Sequence, residues 1–262
     1  MAKKIRVADY IAQRSAEAGA KHVFLVTGGG AMHLNDAFGR HSSLTPVCFH
    51  HEQAAAMAAE SYYRMANRLA VLNVTTGPGG INALNGVYGA YVDSVGMLVV
   101  SGQVKRETYL RNYSIPLRQL GDQEVDIVSM VRPIVKYATV LDDPLKVKVV
   151  MDKAIFLATY GRPGPVWIDV PIDVQATLID TDELVCFDGD LQSLSCDPDV
   201  TINTKLELNN KFEDVLDSDI QEIIEKIESA KRPVLFAGSG VRLSGMYEEF
   251  LKLVNALKIP VV

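Results

Sequence analysis

Three short segments combine a turn with side chains able to move a proton or hold a polar ring. The first is Phe49-His50-His51-Glu52-Gln53, where an apolar run gives way to an alanine-rich stretch. An acid at such a junction usually stays solvated and complements the positive end of a helix dipole. At the carboxyl edge of a parallel sheet the same carboxylate would instead point into the crevice where such sheets bind ligands. Glu52 is therefore a candidate proton-exchanging acid. The second segment is Val74-Thr75-Thr76-Gly77-Pro78-Gly79-Gly80-Ile81-Asn82, a strand end running through a glycine turn into a helix. It reads either as a tight turn or as a seat for a polar heterocycle or an anion, since glycine admits close approach and helix N-termini present free N–H groups. Val26-Thr27-Gly28-Gly29-Gly30 has the same two readings. Neither loop matches GxxxxGK[ST], or GxGxxG followed by an acid in register, so neither is a P-loop or a dinucleotide fingerprint.

The elements that must carry these segments follow from periodicity. Apolar runs bounded by turn residues recur at His22 to Val26, Pro46 to Phe49, Leu69 to Val74, Met97 to Ser101, Ile134 to Val140 and Val166 to Val170. Helical patterns lie between them, at Val7 to Ala18, Glu52 to Ala66 and Gly80 to Ala90. This alternation predicts an α/β fold with a parallel sheet covered by helices on both faces. From about Leu178 to Asn210 the pattern fades into a polar, acidic stretch that reads as a linker. A helix near Ser218 to Ala230, a strand at Pro233 to Ala237, a Gly238-Ser239-Gly240 turn, a helix from Tyr247 to Leu257 and a strand start at Ile259 then begin a second, Rossmann-like α/β domain. The expected division is a domain over 1–180, a linker over 181–215 and the start of another domain over 216–262. Because the last strand would leave an open edge, the sequence reads as a piece of a longer polypeptide.

Composition narrows the partners. A net charge of −6 disfavours a general affinity for nucleic acid or anionic membranes, and small molecules are the expected partners. Cys48, Cys186 and Cys196 show neither CxxC nor Cys/His metal spacing, which points to free thiols in a reducing compartment. His33, His50 and His51 have no partner at metal-ligand spacing, and no metal ligand is assigned; His51 is kept as a neighbour of Glu52. With no secretory h-region and no apolar run of about 18 residues, the expected location is the cytoplasm.

Taken in order, GGG after the first strand, HHEQAAAMAAESYYR, VLNVTTGPGGINALNGVYGAYVDSVGMLVVSGQV, QEVDI, VRPIVKYA, GRPGPVWIDVPIDVQ and PVLFAGSGV resemble the acetolactate (acetohydroxyacid) synthase family. The resemblance covers most of the chain. It implies a pyrimidine-binding domain for thiamine diphosphate followed by the start of a middle domain. In that family the glutamate matching Glu52 bonds the aminopyrimidine ring and helps activate the cofactor, which decarboxylates a 2-keto acid such as pyruvate and passes the acyl unit to an acceptor carbonyl. Gly28, Gly29, Thr75, Gly77, Pro78 and Asn82 would flank the ring, and Gln123 matches a glutamine near the reacting centre. Arg162 and Gly238, Ser239 and Gly240 match positions where family members hold FAD. Mg²⁺ and the diphosphate would be bound by a C-terminal domain outside this sequence. The resemblance further implies a homodimer or homotetramer with its active site at a subunit interface.

Three positions depart from the family pattern. Gly96 stands where a proline is usual, Asp122 where an aromatic is usual and Ile172 where a lysine is usual. All three are expected to border the substrate channel. Losing a cation and gaining a carboxylate would weaken attraction for a second anionic keto acid, which favours a neutral ketone or keto-sugar acceptor. A different class remains open: an assembly module, inactive by itself, that pairs with another chain.

Overall fold

The computed structural model describes residues 4–187, 189–209 and 215–262. A short strand β1 (Lys4–Arg6) leads into α1 (Val7–Glu17), β2 (His22–Leu25), α2 (Met32–Arg40), β3 (Thr45–Cys48), α3 (Glu52–Ala66), β4 (Ala70–Val74) and α4 (Pro78–Val92). The chain continues through β5 (Met97–Gln103), α5 (Ile127–Val131), β6 (Tyr137–Val140), α6 (Val147–Thr159), β7 (Pro165–Pro171), α7 (Ile172–Ala176), β8 (Leu178–Asp180), α8 (Leu191–Cys196) and α9 (Ile202–Asn209).

Six strands form one parallel sheet in the order β3-β2-β4-β5-β7-β6, so the α/β parallel architecture read from the sequence is correct. Side chains alternate across it. Val23, Leu25, Val71, Leu98, Val100, Val166 and Ile168 join one buried cluster with Ile11 of α1, Phe38 of α2 and Leu157 of α6. Leu72, Val74, Val99 and Trp167 are buried on the opposite face, which α3, α4 and α5 cover. Burial on both faces explains why the strands read as continuous apolar runs. The chain moves from β2 outward to β3 and then returns to the other side of β2 with β4. The carboxyl ends of β2 and β4 therefore flank the topological switch point.

Of the linker expected over 181–215, residues 188 and 210–214 lie outside the described residues; the described residues up to Leu208 depart from that expectation. The first compact unit runs on to Leu208, because Leu184, Leu194 and Val200 are buried in its core. Val200 forms an antiparallel bridge with Tyr137, the Ala138 amide donates to the Asp199 carbonyl, and this pass covers the outer edge of β6. The acids that made the segment look solvated have partners: Asp197 pairs with Lys153 at 2.6 Å, and Asp199 accepts from Thr139 Oγ1 at 2.6 Å and from Arg132 at 3.1 Å. Helices of six and eight residues are too short to display a helical period clearly. The two-stranded antiparallel pair β1–β8, with Ile5 opposite Ile179, was also invisible to pattern reading.

The second unit begins at Asn209. It contains α10 (Asp217–Ser229), α11 (Gly240–Leu243) and α12 (Tyr247–Leu257). The expected strands at Pro233 and Ile259 reduce to a parallel bridge between Leu235 and Val261, extended by a 2.8 Å bond from the Ala237 amide to the Val262 carbonyl.

Candidate active site

The loops after β2, β3 and β4 all leave the same edge of the sheet, which brings the three segments singled out from the sequence together. After β3 the Phe49 amide still donates to the Leu25 carbonyl at 2.9 Å, holding the chain against β2. His51 then takes an extended conformation and caps α3: its Nδ1 accepts the Gln53 amide at 3.1 Å. That local role accounts for His51, and Glu52 becomes the first residue of the helix.

Helices α3 and α4 cross closely because both present small residues. A Cβ at Gly86 would come within 2.5 Å of the Ala56 Cβ. This approach sets Asn82 against Glu52, and Asn82 Nδ2 donates to Glu52 Oε2 at 3.0 Å. The glutamate is 8% exposed, so water does not replace that partner freely. Oε1 lies toward Gly79, 3.4 Å from where a side chain there would begin.

The glycine turns are fitted to one another. A Cβ at Gly28 would meet the Thr75 side chain at 2.5 Å, and one at Gly30 would meet Thr76 Oγ1 at 1.9 Å. The Gly30 amide donates to Thr75 Oγ1 at 3.1 Å, while Thr76 Oγ1 donates to the Gly102 carbonyl at 3.1 Å. Gly29 has open space around it. Gly77 has φ +58°, and a Cβ there would come within 1.9 Å of the Gln123 carbonyl oxygen. Gln123 thus reaches the site by its backbone, at φ 56°, with its side chain exposed. Pro78 opens α4 at the position where its missing N–H is no loss.

Sequence reading missed a buried polar row beneath these loops. Asp169, in the middle of the apolar run of β7, is fully buried. Its Oδ1 accepts from Ser101 Oγ at 2.5 Å and its Oδ2 from Gln103 Nε2 at 2.9 Å, while Trp167 Nε1 donates to Ser101 Oγ at 2.8 Å. Burial pushes the Asp169 carboxyl up to about 7, against the pull of Ser101 and Gln103. The available signal was an ionisable residue inside a continuous apolar strand.

Other expected positions lie elsewhere. Arg162 is exposed; its Nε donates to Ser94 Oγ at 2.6 Å and its Nη2 to the Val92 carbonyl at 3.2 Å. Its own carbonyl accepts from the buried Lys136 Nζ at 2.6 Å. Burial holds the Lys136 ammonium below its ordinary range. Gly238, Ser239 and Gly240 belong to the second unit, at the start of α11. Among the departures, Asp122 precedes Gln123 and Ile172 follows β7, both toward the carboxyl edge. Gly96 immediately precedes β5, so it lies at the amino edge and does not border this site. There a Cβ would come within 2.8 Å of the Tyr63 ring and 2.9 Å of the Ala158 carbonyl.

Among the described residues no three His, Cys, Asp or Glu side chains group to hold a metal ion. No helix of the described residues is long and apolar enough to cross a membrane.

Comparison with known proteins agrees with this fold. Residues 5–130 match the family profile described as thiamine pyrophosphate enzyme, N-terminal TPP binding domain, and residues 220–262 match the central domain of the same enzymes. The acetolactate synthase large subunit of Lactococcus lactis is 31% identical over 96% of this chain and 40% of its own length. A probable acetolactate synthase large subunit of Methanococcus aeolicus is 36% identical over 91% of this chain and 36% of its own. The chloroplastic acetolactate synthase of Arabidopsis thaliana is 31% identical over 97% and 34% respectively. The chain thus spans two fifths or less of the length of these relatives. With two matched profiles over a six-stranded parallel α/β sheet, the chain belongs to the thiamine pyrophosphate enzyme family, its N-terminal TPP binding domain followed by a central-domain segment.

Proposed function

We propose that this chain supplies the pyrimidine-side half of the active site of an acetolactate synthase-like carboligase, which decarboxylates a 2-keto acid and transfers the acyl unit to an acceptor carbonyl. The observation that carries this reading is Glu52: a buried carboxylate at the switch point of the sheet, with Oε2 held by Asn82 at 3.0 Å.

The residues present fit the pyrimidine ring of thiamine diphosphate. At the edge between β2 and β4, Gly28, Gly30 and Gly77 let the loops pack against Thr75, Thr76 and the Gln123 carbonyl, while Gly29, with open space around it, leaves backbone that a flat ring could approach. The bond from the Gly30 amide to Thr75 Oγ1 presets the two loops against each other before any ligand arrives. Asn82 orients Glu52, leaving Oε1 to exchange a proton with a ring nitrogen. The cofactor itself supplies the electron sink for decarboxylation. Mg²⁺ and the diphosphate need ligands from another segment of the enzyme. FAD gains less support here, because the Arg162 guanidinium is engaged by Ser94 and Val92.

A second copy of the chain is the proposed partner. Met57 and Met65 of α3 and Ile81, Tyr88 and Val92 of α4 are exposed apolar side chains on the helix pair that carries Glu52 and Asn82, which suits a subunit interface. Asp122 is exposed at the mouth, and Ile172 stands beside Asp173, whose carboxylate is already paired with Arg106 at 2.7 Å. This balance favours a neutral ketone over a second keto acid.

The test is turnover of pyruvate by the complete enzyme, with thiamine diphosphate and Mg²⁺, for the wild type and Glu52→Gln. Severe loss in the variant with an unchanged fold supports the reading; activity within about threefold removes Glu52 from the mechanism. Offering pyruvate and neutral ketones as competing acceptors, before and after Ile172→Lys, decides the acceptor.

A further inference from the structure

The buried row beneath the site continues to the loop that closes on Gly77. Gln103 Nε2 bonds Asp169 Oδ2 at 2.9 Å and also the Val125 carbonyl at 3.0 Å. Gln103 Oε1 is fixed by the Val104 amide at 3.0 Å, so the amide cannot flip without losing all three bonds. Two residues before Val125, the Gln123 carbonyl rests on Gly77, the N-cap of α4. At the other end of the row the Trp167 ring lies 3.5 Å from where a Cβ would stand on Gly80, in the first turn of α4. Loop and helix start are thus tied to one buried carboxylate.

We propose that Asp169 and Gln103 are positioning residues of the candidate site: the carboxylate orients the Gln103 amide, which suspends residues 121–126 by the Val125 carbonyl so that the Gln123 backbone closes against Gly77. The link to cofactor binding rests on the function proposed above; the mechanical link does not. Glu124 assists from the loop itself, accepting the Leu110 amide at 2.9 Å and the Leu120 amide at 2.7 Å. These bonds tie the loop to its own neighbours, whereas the Gln103 bond to Val125 ties it to the sheet. Neutralising Asp169 turns an acceptor oxygen into a donor, so either the Ser101 bond reverses or the Gln103 bond weakens. The charged and titratable groups facing Asp169 are Asp126, which raises its carboxyl, Arg111, which lowers it, and the buried Tyr109 hydroxyl.

Trp167 is the sole tryptophan of the 262 residues, which makes the row visible by fluorescence. In the 262-residue chain, Trp167 emission should titrate with a midpoint near the Asp169 value of about 7 and lose that transition in Asp169→Asn. Hydrogen exchange at the Leu120 and Glu124 amides should quicken about tenfold in Gln103→Met, with the β4 amides unchanged. In the complete enzyme Gln103→Met should raise half-saturating thiamine diphosphate about tenfold, with a smaller effect on kcat. Loop exchange within about twofold of wild type in Gln103→Met overturns the proposal, whatever the titration shows. Should Asp169→Asn fail to fold, Gln103→Met still decides. Faster exchange with unchanged half-saturation removes the positioning role and leaves the reading of Glu52 untouched. Full activity of Glu52→Gln sinks that reading while the exchange and fluorescence results stand.

Discussion

In the proposed site Glu52 and Gly77 would serve in two ways, one by charge and one by the lack of a side chain. Glu52→Gln keeps the shape and the neighbour Asn82 but removes the exchangeable carboxylate. Turnover by the complete enzyme should fall by about 100-fold or more, while the urea midpoint moves by less than about 1 kcal/mol equivalent. Steady-state kinetics and urea denaturation on the same preparation check both halves. Gly77→Ala acts through space: at φ +58° the new methyl would sit 1.9 Å from the Gln123 carbonyl. The loop must move, at a cost of about 1–3 kcal/mol, and thiamine diphosphate binding should weaken more than the fold. Titration calorimetry against thermal melting separates the two effects.

At the scale of elements, the α3–α4 crossing holds Glu52 and Asn82 in register. Gly86→Ala places a methyl 2.5 Å from the Ala56 Cβ, so the helices must separate. A loss of roughly 1–3 kcal/mol is expected, readable as a lower urea midpoint. The segment after β8 offers a second test. If it is part of the first unit, Leu194→Ala, at a fully buried position, should cost about 2–5 kcal/mol. A flexible connector would tolerate that substitution with almost no change, so the urea midpoint discriminates.

For the whole molecule, the buried Asp169 makes stability depend on pH in an unusual direction. Burial raises its carboxyl from an ordinary 3.8 to about 7 in the folded state. Between those values the folded chain holds a proton that the unfolded chain has lost. Its contribution therefore favours folding in acid and is lost as pH rises through the window toward about 7, at up to about 1.4 kcal/mol per pH unit. Exposed carboxylates such as Asp36, held below the ordinary range by Arg6, act in the opposite sense and only at more acidic pH. Unfolding stability should fall by roughly 2 kcal/mol between pH 5.5 and 7, and Asp169→Asn should flatten that slope. Urea titrations across this range, wild type beside variant, provide the measurement.

What the sequence determined by itself was whatever depends on local period and local turns. Runs such as Leu69 to Val74 and Val166 to Val170 are buried on both faces, so their composition alone marks parallel strands, and Glu52 to Ala66 coincides with α3. The glycine turns and Glu52 were legible because each sits where a strand pattern stops and a helical one starts. Tertiary structure alone decided what depends on pairing across the fold. Asn82 became the partner of Glu52, thirty residues away in sequence, only through the packing of α3 against α4. The Gln123 backbone, not its side chain, meets Gly77. The described residues from 181 to 208 joined the first unit because Leu194 and Val200 find a core and Asp197 and Asp199 find partners, none of it visible in a polar, short-period stretch. The buried Asp169 row arises because neighbouring strands β5 and β7 align Ser101 with Asp169, a register that belongs to the sheet and to no single segment.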